Sequence, residues 1–183
     1  WPNALPPLSA NPLPLPLNME SERQLLTVQA PTVVRAGNRW GDANRPVVYL
    51  DETAPDESAQ AWGKLQRNQS VWGKEMLIAG HKFTRGLGTH ANGRLMYDLT
   101  GGSFRTFRAL VGRDEHAGDG RVVFQVRLDG KLAFDSGPLT RTTAAKPLEV
   151  DLPGRTTLEL LTHDGGDGFS GDHGDWAEAR LER

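Results

Sequence analysis

Apolar and polar residues alternate along much of the second half of the chain. From Val122 to Leu128 every second position is apolar, Asp129-Gly130 follows, and Leu132 and Phe134 resume the alternation. Such alternation directs the apolar side chains to one face of a strand, and Asp-Gly is a common two-residue turn between paired strands. The segment therefore predicts a β-hairpin with one face in a core.

The same two-residue period recurs in shorter segments. Trp176–Glu182 contains good helix formers, yet its apolar residues also follow period two, so it predicts a strand. Roughly nine or ten short strands, with turn signals every 8–12 residues, are typical of an all-β, antiparallel β-sandwich of the jelly-roll kind. The other candidate strands are Leu25–Gln29, Thr32–Arg35, Pro46–Leu50, Glu75–Phe83, Arg94–Leu99, Phe107–Val111, Pro147–Leu152 and Thr156–Thr162.

The N-terminal segment has a different composition from the rest. Residues 1–20 carry six of the twelve prolines, interspersed with leucine, and this pattern excludes a helix or a central strand. It predicts an extended Pro/Leu-rich arm over residues 1–24, followed by the sandwich over residues 25–183. Two interpretations stay open: a linker to another domain, or an apolar arm that lies on a partner or on a second copy in a homo-oligomer.

Charge and composition exclude several classes of protein. The formal net charge is -2 and no basic block occurs, which argues against binding to nucleic acid. No apolar run approaches the roughly 20 residues of a membrane span. The absence of cysteine excludes disulfides and thiolate chemistry. Because the chain starts at Trp1 rather than Met, we expect a mature form or a fragment that was exported to the cell envelope or beyond.

Two glycine-rich segments, 112–120 and 162–175, concentrate Asp and His residues. Crowded like charges are unfavourable unless a cation or water compensates them, although Asp and Gly also form ordinary turns. Carboxylate oxygens suit calcium, and imidazoles suit copper or zinc. The candidate metal ligands are His90, His116, His163, His173, Asp114, Asp164, Asp172 and Asp175.

These four histidines are expected in loops rather than at strand centres. If the loops met at one end of the sandwich, the imidazoles would converge and hold copper or zinc, with Asp residues orienting them. Copper in such a site would allow redox chemistry of the superoxide dismutase type, which occurs on β-sandwich scaffolds. The simpler interpretation is that each histidine only braces its loop.

Trp62 and Trp72 stand in polar segments without apolar periodicity. An indole offers a large flat apolar face with a polar N–H at its edge, so it can stack on the apolar face of a sugar. The alternative is that each tryptophan covers the end of the core.

Four blocks occur in a fixed order along residues 46–183: AWGKLQRNQS, IAGHKFTRGLGTHANGRLMYDL, GRDEHAGDGRVVFQVRLDGKLAFDSG and DHGDWAEARL. Together they resemble the NPCBM family, carbohydrate-binding module family 51, which is found beside glycoside hydrolase family 98 domains. The resemblance implies a β-sandwich with jelly-roll-like topology, recognition of galactose-type glycans in some members, and often a structural calcium.

Three hypotheses follow from the residues and the resemblance. The first is an exported, non-catalytic module that binds glycan at the loop ends. The sequence has no Gly-x-Ser-x-Gly motif, so a Ser-His-Asp nucleophile has no support. The second is the copper or zinc protein with superoxide dismutase activity. The third is a structural subunit that binds an envelope protein. The candidate glycan contacts are Trp62, Trp72, His90, Asn92, Arg113 and Trp176.

Overall fold

The computed structural model of the protein describes residues 39–183. The predicted arm over residues 1–24 and the candidate strands Leu25–Gln29 and Thr32–Arg35 lie outside the described residues. Residues 39–183 form strands joined by turns, with one 3₁₀ turn at Leu50–Glu52. This part of the chain has no helix that is long and apolar enough to cross a membrane. The all-β prediction is confirmed here.

The strands form two larger antiparallel sheets and one small hairpin. In chain order they are β1 Val47–Tyr49, β2 Glu57–Gln60, β3 Gln66–Arg67, β4 Met76–Ile78, β5 His81–Phe83, β6 Gly86–His90, β7 Gly93–Asp98, β8 Thr106–Arg113, β9 Val122–Leu128, β10 Lys131–Leu139, β11 Lys146–Asp151, β12 Thr157–Asp164 and β13 His173–Glu182. One sheet has the order β11-β8-β13-β6-β3, and β1 also pairs with β13. The other has the order β10-β9-β12-β7-β2, and β4 pairs with β5.

The two larger sheets enclose one apolar core, which confirms the predicted sandwich. Along β9 the side chains of Val122, Phe124 and Val126 are fully buried, as the two-residue period requires. From the opposite sheet Trp176 meets Phe124 edge-on, with ring centroids 5.1 Å apart. The alternation that predicts the strands therefore also builds the contact between the sheets.

The last strand confirms the prediction made for Trp176–Glu182. β13 lies between β8 and β6 and pairs with both. Hydrogen bonds on two sides outweigh the modest helix propensity of this segment. At Glu178 the backbone φ is 53° and the pairing with β8 shifts, so the strand carries a bulge there.

Two details differ from the sequence predictions. The predicted hairpin forms between β9 and β10, but the pairing shifts after Leu132, which is 56% exposed instead of facing the core. The predicted single strand Glu75–Phe83 is two short strands, β4 and β5. Ala79 and Gly80 both have positive φ between them, which makes a tight turn instead of extended chain.

Candidate functional site

A pocket of about 450 Å³ lies at the end of the sandwich where β6 ends and β13 begins. Strand pairing places His90, the last residue of β6, opposite His173, the first residue of β13. Loops from other parts of the chain complete the lining, so the pocket exists only in the folded protein. The lining residues are Trp62, Trp72, His90, Gly118, Asp119, Phe169, Ser170, Gly171 and His173.

Two tryptophans form one side of the pocket. Trp62 is 48% exposed and Trp72 is 47% exposed, although both are large and aromatic. The ring of Trp62 stacks on His173 at 5.7 Å between centroids with 8° between planes, and Trp72 meets the same imidazole edge-on at 4.9 Å. His173 therefore braces both indoles while leaving apolar ring surface open to a ligand.

The two histidines at the base of the pocket are uncharged at neutral pH. Burial lowers the pKa of His173 to about 4, and the neighbouring His90 lowers it further in the same direction. Burial also lowers the pKa of His90. The ring centroids lie 5.2 Å apart. A neutral imidazole has one donor and one acceptor nitrogen, and both can bond to a hydroxyl group.

The backbone determines which nitrogen of His90 faces a ligand as an acceptor. His90 Nδ1 contacts the carbonyl oxygen of Ala91, and a carbonyl can only accept, so Nδ1 carries the hydrogen. Nε2 is then the acceptor of the neutral ring. This tautomer gives the pocket a hydrogen-bond acceptor on the side of β6.

The opposite wall consists of two glycine-rich loops that touch each other. Gly171 has a φ of 80°, and a Cβ atom there would lie 3.1 Å from the carbonyl oxygen of Asp119. Phe169 is 53% exposed and faces the ring of His90 with 6.4 Å between centroids. Phe169, Asp119 and Ser170 were not among the residues predicted from the sequence. Phe169 could have been recognised as a site residue, because it is a lone aromatic residue in a Gly/Asp/Ser segment.

Beneath this wall lies a cluster of charged residues that are all closed to solvent: Arg113, Asp114, Asp172 and Asp175. Asp114 accepts hydrogen bonds from the backbone N–H groups of Leu77 and His116 at 3.2 and 2.9 Å. Burial raises the pKa of Asp172 to about 6, and burial, followed by the charge of Asp114, raises the pKa of Asp175 well above its usual range. The carboxyl group of Asp175 also shares a side-chain hydrogen bond with Asp114.

The residues of the fold also match a known family over most of their length. The family model described as "NPCBM/NEW2 domain" matches residues 46–182. The chain belongs to this family. The resemblance seen in the sequence blocks is therefore confirmed.

Solved and curated relatives of this NPCBM chain are carbohydrate-binding modules and a galactosidase. The CBM51 of a Clostridium perfringens GH95 protein, solved with methyl-galactose, is 34% identical with a TM-score of 0.71, over 74% of this chain and 99% of that one. The CBM51-2 and INT domains of Clostridium perfringens ZmpB, solved with GlcNAc, are 25% identical with a TM-score of 0.70, over 75% and 31%.

The curated relative is alpha-1,3-galactosidase B of Akkermansia muciniphila, 29% identical over 122 residues, which are 65% of this chain. This chain spans about 15% of the length of that galactosidase. The shared part is thus one segment of a much longer protein.

Of the six predicted glycan contacts, the NPCBM structure brings Trp62, Trp72 and His90 to the pocket. The predictions for Arg113 and Trp176 are wrong, because both side chains are fully buried; the indole Nε1 of Trp176 donates to Thr162 Oγ1 at 3.1 Å instead. Asn92 lies outside the lining. Its side-chain Nδ2 donates to Asp164 Oδ2 at 3.4 Å, and its Oδ1 accepts from the backbone N–H of Asp164 at 3.2 Å.

The predicted convergence of four loop histidines is also wrong. His90, His163 and His173 are strand residues, and only His90 and His173 meet. His163 pairs with Val123 within the other sheet, and His116 Nδ1 lies 3.2 Å from Asp114 Oδ1. Strand register separates His163 from the pair His90 and His173, and the turn after β8 holds His116 beside Asp114.

Within residues 39–183 no group of three or more His, Asp or Glu side chains could hold a metal ion. Calcium also takes backbone carbonyl oxygens as ligands. The copper, zinc and calcium predictions, with Asp164, Asp172 and Asp175 among their ligands, stay predictions.

Proposed function

We propose that this NPCBM domain is a non-catalytic module that binds a galactose-type glycan in the aromatic pocket. The observation that carries the proposal is the pair of half-exposed indoles, Trp62 and Trp72, held against the neutral ring of His173. Exposed aromatic area of this kind is unfavourable in water unless a ligand covers it. The CBM51 solved with methyl-galactose is matched over nearly its whole length, and this supports the choice of sugar.

The polar groups around the indoles suit a sugar that offers hydroxyls on its rim. A pyranose ring stacks its apolar face on an indole, and its hydroxyls then point outward toward polar neighbours. His90 Nε2 would accept a hydroxyl hydrogen from one side. Asp119 and Ser170 on the opposite wall supply a carboxylate and a hydroxyl. Because both imidazoles are neutral, the floor adds no net charge, which suits an uncharged glycan.

We infer that the module is exported and acts beside another activity. The support is that the galactosidase relative contains a matching segment within a chain several times longer. In such an arrangement the module holds the glycan and a separate domain carries out chemistry. The predicted envelope-protein partner and the homo-oligomer through the N-terminal arm remain predictions, since the arm lies outside the described residues.

Calorimetric titration of the whole chain with methyl-galactoside tests the proposal. We expect saturable one-site binding, weakened about tenfold or more in W62A or W72A because each removes a stacking surface, a change of about 1.4 kcal/mol. L132A is the matched control, since Leu132 is a similarly exposed apolar residue on β10, where it pairs with Arg127 of β9, and it does not line the pocket. No saturable binding to galactosides, or equal affinity in W62A, would overturn the assignment. Binding of GlcNAc alone would keep the site and change the sugar.

A further inference from the structure

Arg113 is a charged side chain that lies entirely beneath the pocket wall without reaching the pocket. It is the last residue of β8, it is fully buried, and strand pairing places it opposite Gly174. Its Nη2 donates to the carbonyl oxygen of Gly171 at 3.1 Å, and its Nη1 donates to the carbonyl oxygen of Asp114 at 3.4 Å. Gly171 itself lines the pocket.

The wall above Arg113 consists of two segments that contact each other through glycines. A Cβ at Gly171 would lie 3.1 Å from the Asp119 carbonyl oxygen, and a Cβ at Gly120 would lie 2.3 Å from Asp172 Oδ1. The segments Gly118–Gly120 and Phe169–Asp172 are therefore packed backbone to backbone. We call these two segments the wall. Fixing one carbonyl of the wall fixes both segments.

Keeping a guanidinium in this place is costly. Its Nε has no hydrogen-bond partner, and burial lowers the pKa of Arg113, an effect that the carboxylate of Asp172 opposes. A buried charge without full pairing disfavours folding, and a buried ion pair is weak evidence for stability. The contact of Arg113 with a pocket carbonyl is therefore the feature that points to a role at the site.

We propose that Arg113 is a positioning residue, which holds the wall at a fixed distance from the tryptophan side of the pocket through the carbonyl of Gly171. In naming the pocket as the site, this inference rests on the proposed function. The guanidinium suits the task because its planar, delocalised fork donates to two carbonyls in fixed directions, whereas an ammonium on a flexible chain cannot. Asp172, adjacent to Gly171, supplies the opposite charge that makes the cation tolerable there.

Hydrogen exchange of the unliganded whole chain tests the role without any sugar. In R113M the amides of the wall should exchange about tenfold faster, as expected for loss of a hydrogen bond from a charged donor, while β9 and β12 keep their wild-type rates. The unfolding midpoint should fall, because R113M leaves the carboxylate of Asp172 buried without its cation. The comparison of the wall with β9 and β12 separates this loss from the local one. R121A is the matched control: Arg121 contacts Asp167 near the wall at 3.1 Å, but it is half-exposed.

Affinity for methyl-galactoside is the second readout. R113M should bind about tenfold more weakly, R113K should lie between R113M and the wild type, and R121A should bind as the wild type does. F169A should lower the affinity for methyl-galactoside less in the R113M background than in the wild type, because the wall that carries Phe169 is already displaced in R113M. W62A should remain additive with R113M.

The outcomes separate this inference from the proposed function. Wall exchange in R113M within twofold of wild type, or equal acceleration throughout the sandwich, overturns the positioning role. So does unaltered affinity in R113M when the wild type binds. If R113M does not fold, R113K is judged by the same exchange criterion. A wild type that binds no galactoside overturns the proposed function, while the exchange result still decides whether Arg113 holds the wall.

Discussion

The interior of the sandwich and the cluster beneath the pocket are equally closed to solvent but are built from opposite kinds of groups. Trp176 fills the interior, with its ring against Phe124 and its indole N–H bonded to Thr162. Asp175, one residue earlier in β13, buries a carboxyl group beside the carboxyl group of Asp114. Neighbouring residues of one strand thus belong to regions with different physical roles.

The contrast shows which region stabilises the fold and which shapes the site. Each apolar group that leaves water contributes favourable free energy, about 25 cal/mol per Å². A buried carboxylate or guanidinium contributes the reverse unless it is paired. The cluster lies directly beneath the wall of the pocket, and departures from ordinary core packing are expected where a site must be shaped. We therefore expect substitutions in the two regions to have separable effects.

The largest effect is expected at the interior tryptophan. W176A should lower the free energy of unfolding by about 3–5 kcal/mol, because it leaves a cavity between the sheets and removes the hydrogen bond from the indole to Thr162. Denaturant unfolding measures this. W72A provides the comparison, since it removes the same side chain from a half-exposed position and should change stability far less. Equal losses in the two variants would show that the pocket tryptophans are part of the core.

The next effect concerns Asp172 and depends on pH. Its folded-state pKa of about 6 lies above the ordinary value of 3.8, so the folded protein holds the proton more tightly than the unfolded chain. The ionised carboxylate of Asp172 therefore costs stability above pH 6, and this penalty disappears as the pH falls toward 4. D172N cannot ionise at this position, so the stability difference between D172N and wild type should shift in favour of D172N as the pH rises from about 4 to about 6. Denaturant unfolding at several pH values tests this; an advantage that does not depend on pH contradicts the buried ionised carboxylate.

His173 should produce the opposite slope in the same window. Its folded-state pKa of about 4 lies below the ordinary value of 6.5, so the unfolded chain takes up the proton first and wild-type stability falls as the pH drops from about 6.5 to about 4. H173N lacks this loss, so the stability difference should move in favour of the variant over that range. The pH dependence of stability that remains in H173N over this range is attributed to His90, because burial lowers its pKa as well. Parallel curves for H173N and wild type would contradict a neutral buried imidazole.

The smallest effect is expected at the surface of the loop. R121A removes a contact of 3.1 Å between two partly exposed side chains, Arg121 and Asp167. Such pairs contribute about 0–1 kcal/mol, and salt screens them. Thermal unfolding at low and high salt should place R121A close to wild type in both. A large loss of stability in R121A would show that this ion pair contributes to the fold as a buried pair does.

Parts of the site could be recognised in the sequence because they violate a local pattern. Trp62 and Trp72 are lone aromatic residues in polar loops, and His90 lies in one of the blocks that resemble the family. Arg113 and Trp176 could not be placed in the same way. Whether an arginine after a strand faces solvent, and which way a tryptophan at a strand start points, depends on the sheet packed against it. The predicted convergence of four histidines failed because strand register brings only His90 and His173 together, and neither His163 on β12 nor His116 in a turn joins them.

Alternation of apolar residues and the turn residues between them were sufficient to establish an all-β sandwich, because side-chain period and backbone turns are local properties of the chain. The tertiary structure alone decided that His90 and His173 stand opposite each other, that two tryptophans lean on one imidazole, and that a buried arginine lies under the wall. These juxtapositions join residues far apart in the chain, such as Arg113 and Gly171. They depend on strand pairing and on burial, which no local pattern encodes.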